Sequence, residues 1–162
     1  MSTCVITGVG SGIGKAVAIE LSKRKYYDKF ALLGRNEKAI RETIELMKNS
    51  GARRISFYSV DLSEPELIPP IIKNINEKER NIIALYNIAG YTDPQPLLST
   101  SLESVELTYK VNVFTPFVLI RECTKYMKST GGKILNVAST AGMTPRPGWL
   151  SYASSKSSVI AM

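Results

Sequence analysis

A chain of 162 residues, 44% hydrophobic and 22% charged, has the composition of one soluble globular domain with a sizeable core, which excludes a disordered chain and a disulfide mini-scaffold. Its 21 Lys and Arg against 14 Asp and Glu give a formal charge of +7, so anionic ligands, nucleic acid and acidic membrane surfaces come into consideration. The lack of histidine excludes Ser-His-Asp and Cys-His chemistry and the commonest metal ligand, leaving proton transfer to Tyr, Lys, Asp or Glu.

Short apolar runs alternate with segments of helical period, the pattern of an α/β fold with a parallel, doubly wound sheet. Cys4 to Thr7 reads as a buried first strand, and Ile13, Val17 and Leu21 as the apolar stripe of the helix behind it. Between them runs Thr7-Gly8-Val9-Gly10-Ser11-Gly12-Ile13-Gly14. Glycines let a backbone approach a pyrophosphate, and the following helix N-terminus supplies free N–H groups and a positive dipole end. The spacing is G-x-x-x-G-x-G and not G-x-G-x-x-G, so a tight turn without a ligand stands as the alternative.

Phe30 to Leu33 is the second strand, and Leu33-Gly34-Arg35-Asn36 follows where dinucleotide folds place an acid for the ribose 2′-hydroxyl. Arg35 in that place suits a 2′-phosphate, which favours NADP over NAD. The alternative leaves Arg35 in solvent and gives the ribose to Glu37. Asn36 is the predicted N-cap of a helix carrying Ile40, Ile44 and Met47 and closed by Gly51. Ile55 to Val60 is the third strand. Ser63-Glu64-Pro65-Glu66 predicts a capping box, with Pro69 and Pro70 making the first turns irregular.

Ile82 to Tyr86 is the fourth strand and runs into Asn87-Ile88-Ala89-Gly90. A long helix is predicted from about Leu102 to Met127, kinked at Pro116 and broken by Gly131-Gly132. Lys133 to Ala138 is the fifth strand, with Ser139 at its carboxyl end, where parallel sheets bind ligands. The bland alternative for Ser139 is a turn cap. A last helix begins near Tyr152 and is still running at Met162. In Tyr152-Ala153-Ser154-Ser155-Lys156 the i to i+4 spacing puts phenol and ammonium on one helical face. A free phenol titrates near ~10, and a neighbouring Lys cation draws it toward the neutral range.

Taken together, the T-G-x-x-x-G-x-G turn, the N-x-A-G turn, the strand-end Ser and Y-x-x-x-K resemble the short-chain dehydrogenase/reductase family over the whole chain, in order and in spacing. The resemblance implies a Rossmann fold of strand order 3-2-1-4-5. It implies that Tyr152 donates a proton to a carbonyl, that Lys156 binds the nicotinamide ribose and lowers the Tyr152 pKa, and that Ser139 holds the substrate oxygen. Asn112 matches the family's water-holding Asn. Gly8, Gly10, Ser11, Gly12, Ile13 and Gly14 match its phosphate turn, Asp61 with Leu62 its adenine contact, and Asn87, Ala89 and Gly90 the turn beside the cofactor. Ile88 departs from the family's second Asn, and Ser11 from the basic residue many NADP-preferring members carry, so Arg35 alone argues for NADP.

The expected activity is NADP-dependent reduction of a small-molecule carbonyl substrate by a homo-oligomer, a dimer or tetramer. Its interface would use the long helix and the helix after Tyr152, with no metal, nucleic-acid or membrane partner. An NAD-dependent alcohol dehydrogenase and a 3-oxoacyl thioester reductase of the same family remain alternatives. Cys4 and Cys123 read as reduced core residues and, with no signal peptide or apolar span, point to the cytoplasm. The +7 charge is read as the side that meets an anionic cofactor. The family pattern continues past Y-x-x-x-K, so residues 1–162 are expected to form one incomplete dinucleotide-binding domain, and a catalytically silent fragment is the second hypothesis.

Overall fold

A computed structural model describes residues 1–127 and 131–162. Five strands alternate with helices: β1 (Thr3–Thr7), α1 (Gly12–Arg24), β2 (Lys29–Gly34), α2 (Glu37–Asn49), β3 (Arg54–Ser59), α3 (Ile68–Glu79), β4 (Ile82–Asn87), α4 (Leu102–Tyr109), α5 (Thr115–Met127), β5 (Lys133–Asn136) and α6 (Leu150–Ala161). All strand pairs are parallel and the order is β3-β2-β1-β4-β5. The chain starts at the centre, builds outward to β3, then returns to β4. The reversal between β1 and β4 is the point where such sheets open a crevice at their carboxyl ends.

Strand side chains alternate between the two faces because the period is two. Cys4 and Ile6 of β1, with Phe30 and Leu32 of β2, pack against Ala18 and Leu21 of α1 and Ile40 and Met47 of α2. Val5, Ala31, Leu33 and Leu85 face the other way, onto Ile68, Ile72 and Ile75 of α3 and Leu119 and Cys123 of α5. Both cysteines are buried free thiols. No helix of the described residues is long and apolar enough to cross a membrane.

The expected elements are present, with four local corrections. The stripe of α1 is Gly14, Ala18 and Leu21, while Ile13 is 62% exposed. A Cβ on Gly14 would lie 2.0 Å from the Gly8 carbonyl oxygen, so a helix packed this closely on the turn needs a glycine inward and turns Ile13 out. The capping box does not form: Pro65–Leu67 is a 3₁₀ turn without a side-chain cap, and Ser63 bonds to Asp61. Pro69 and Pro70 fall in the first turn of α3, where a missing N–H is harmless.

The long helix is interrupted by a π-helical turn over Lys110–Phe114. Pro116 has no N–H for the Asn112 carbonyl four residues back and its ring crowds that group, so the ladder widens just before it, with the Thr115 N–H reaching Lys110. Finally, β5 stops at Asn136, two residues short of Ala138. The Val137 N–H still bonds to Asn87, but its carbonyl takes the Lys156 ammonium at 2.6 Å in place of a ladder partner.

Candidate active site

At the carboxyl ends of β1, β4 and β5 lies a cleft of about 490 Å³, lined by Gly8, Ser11, Gly12, Ile13 and Gly14 on one side and by Ala89, Gly90, Ser139, Tyr152 and Lys156 on the other. A second cavity of about 180 Å³ shares Ala89 and Gly90 with it and extends to Arg35, Asp61 and Leu62 at the ends of β2 and β3. Thirteen of the sixteen residues singled out from the sequence thus line these two neighbouring cavities.

Three stand apart. Gly10 turns toward α2, where its missing Cβ would sit 3.5 Å from that of Ala39. Asn87 is buried behind the cleft with Nδ2 donating to Asn136 Oδ1, and its own Oδ1 has no partner among the described residues. Asn112, 1% exposed, lies behind the wall and fastens it. Its Oδ1 accepts from the Tyr91 N–H at 2.8 Å, while Nδ2 donates to the Tyr91 carbonyl and to Ser155 Oγ, each at 2.9 Å. The side chain therefore ties the loop after β4 to α6, a task distinct from the water-holding role the resemblance implies.

The glycine turn fits an anion. Ser11 sits at the N-cap of α1 but its side chain makes no cap bond, and the first turn of α1 holds no acidic residue. The first N–H groups of the helix are left for a ligand, with the dipole in the favourable sense. In α2, by contrast, Asn36 caps the Ala39 N–H as expected. Gly12 has φ +50° and a Cβ there would meet nothing within 4 Å, so the bare backbone faces open space. These features suit a dinucleotide pyrophosphate.

Two positioning residues are not among the candidates singled out from the sequence. Thr7 Oγ1 accepts from both the Ile88 and Ala89 N–H groups at 3.1 Å, joining the glycine turn to the turn after β4. Thr43, fully buried on α2, donates to the Val9 carbonyl at 2.9 Å. A hydroxyl directly before the first glycine was a legible hint for Thr7. Thr43 is reached only through the fold.

On the side of the cleft formed after β5, Ser139 caps the 3₁₀ turn Thr140–Gly142 by accepting from the Ala141 N–H, as the alternative reading held, and its hydroxyl proton is left for another acceptor. Lys156 is 4% exposed, and burial holds its ammonium below the usual lysine value. Its Nζ lies 5.8 Å from the centre of the Tyr152 ring. Trp149 packs edge-on against the same ring at 5.3 Å. Across the cleft, Arg35 pairs with Asp61, whereas Glu37 is occupied by Arg41 on α2 and does not line the cleft. Among the described residues no group of three His, Cys, Asp or Glu is placed to hold a metal.

The short chain dehydrogenase family model matches residues 2–162. The chain belongs to the short-chain dehydrogenase family. Its relatives in that family include estradiol 17-beta-dehydrogenase 11 of Mus musculus, 35% identical over 94% of this chain and 50% of the relative. Among solved structures, an alcohol dehydrogenase from the archaeon Thermococcus sibiricus complexed with 5-hydroxy-NADP superposes with a TM-score of 0.90 at 26% identity, covering 99% of this chain and 68% of that one. An NAD⁺-bound xylitol dehydrogenase gives 0.90 at 26% identity, over 99% and 61%. This short-chain dehydrogenase chain spans about half the length of the curated relatives it matches.

Proposed function

We propose that the chain is the cofactor-binding and proton-transferring part of an NADP-dependent oxidoreductase that moves a hydride between a nicotinamide and a carbonyl or secondary alcohol. The supporting observation is the single cleft that unites an uncapped helix N-terminus with Ser139, Tyr152 and Lys156. Similar proteins named for estradiol, alcohol and xylitol dehydrogenation support an alcohol and carbonyl pair as the substrate class. Arg35 at the end of β2, with no acid beside it on that strand end, supports NADP.

A bound nicotinamide supplies or accepts the hydride. Ser139 donates a hydrogen bond from its hydroxyl to the substrate oxygen and holds it in the cleft. Tyr152, whose hydroxyl has no hydrogen-bond partner among the described residues, delivers a proton to that oxygen in reduction and takes it back in oxidation. Lys156 is steered by Val137 and keeps two N–H donors for ribose hydroxyls. The glycine turn and the α1 N-terminus hold the phosphates.

Replacing Tyr152 by Phe removes the proton and leaves the ring against Trp149. Carbonyl reduction with NADPH is expected to fall by about a hundredfold or more while cofactor affinity stays unchanged. Full activity in Tyr152→Phe contradicts the assignment.

A further inference from the structure

Arg35 and Asp61 leave the ends of neighbouring strands and meet over the smaller cavity, Nη1 to Oδ2 at 2.8 Å. The two partners are held very differently. Asp61 Oδ1 accepts from the Ser63 N–H at 2.9 Å and from Ser63 Oγ at 2.8 Å, which fixes the carboxylate in place. Those bonds, with Arg35 adding to them, keep its pKa below the usual carboxylate value, so it is an anion at every working pH. The Arg35 side chain is 74% exposed and has no other hydrogen-bond partner among the described residues. A fixed anion faces a swinging cation.

We infer that Asp61 tempers the cofactor specificity of this chain through Arg35, as a built-in competitor for the guanidinium that a 2′-phosphate must recruit. The inference rests on the NADP reading above and goes beyond it. A cofactor with a 2′-hydroxyl leaves the Arg35–Asp61 pair intact. One with a 2′-phosphate must draw Arg35 away or share it, beside a carboxylate that cannot retreat and repels the added charge. Asp61 therefore narrows the preference for NADPH and keeps NADH usable. Exposed ion pairs contribute up to about 1 kcal/mol, which corresponds to a factor of about five in affinity.

The test is a set of equilibrium binding titrations of NADPH and of NADH on the parent protein, Asp61→Asn, Arg35→Ala and the double variant. Asparagine keeps the acceptor for Ser63 and removes the charge, and any contact of position 61 common to both cofactors cancels in their ratio. The NADPH-over-NADH ratio is expected to rise about three- to fivefold in Asp61→Asn, and by less than half as much when Arg35 is already Ala. An unchanged ratio in Asp61→Asn, or an equal gain in the Arg35→Ala background, overturns the competition. A ratio that Arg35→Ala does not alter is a different failure, because it removes the NADP reading itself.

Discussion

Lys156 is a charged group where charged groups are seldom buried, and its position exacts a stability penalty with a definite pH signature. Burial disfavours the ammonium in the folded chain, so its pKa there lies below the usual 10.5. Between that lowered value and 10.5 the unfolded chain binds more protons than the folded one, so this group makes stability rise with pH across the interval. Below the interval the full penalty applies. Lys156→Met is therefore expected to compare best with the parent near neutral pH and to lose part of that relative advantage by pH 10.5, in paired denaturant titrations. A pH-independent difference contradicts a strained ammonium. The residues that point to this site were legible because they carry chemistry at fixed spacing, as in Tyr152 and Lys156 or the glycines before α1. Asn112 and Thr7 show the other case: the backbone groups they hold, Tyr91 for Asn112 and Ile88 with Ala89 for Thr7, lie in a distant loop that no local spacing announces. Ser63 was misread for a related reason. Its hydroxyl donates to Asp61 two residues earlier, and the turn that follows is capped at Glu64, one residue beyond Ser63.

At the level of elements, the turn between β1 and α1 is held by contact as much as by conformation. A Cβ on Gly14 would stand 2.0 Å from the Gly8 carbonyl oxygen and 2.5 Å from its carbon, both backbone atoms that cannot swing aside. Gly14→Ala must push α1 off the sheet. Thermal or denaturant unfolding is expected to show a loss of about 2 kcal/mol or more, with weaker cofactor binding. A neutral substitution contradicts the close packing. Strand and helix order were legible because buried parallel strands read as unbroken apolar runs, as in Phe30 to Leu33. The interruption of the long helix was legible only in part, since Pro116 announces a broken ladder but not its π form. The placement of the break is functionally informative, because it directs Asn112 inward against Tyr91 and Ser155.

For the whole molecule, the topology rearranges what the net charge of +7 suggested. Basic residues occupy the last turns of α1, α2, α3 and α5, and Lys29, Arg54 and Lys133 open strands β2, β3 and β5. In a parallel α/β fold these ends share the pole opposite the cofactor cleft. There they oppose the negative ends of the helix dipoles. Many of the basic residues therefore belong to helix and strand ends at that pole, while Lys156 and Arg35 are the cations that line the cavities at the other. The crevice itself follows from the β3-β2-β1-β4-β5 order, which parts the loops after β1 and β4. Trp149, the only tryptophan, packs against the ring of Tyr152, which lines the cleft. The most direct measurement is a titration of Trp149 fluorescence with NADPH and with NADH: saturable quenching at lower NADPH than NADH concentration is predicted, and no saturable change with either, or tighter binding of NADH, contradicts the account.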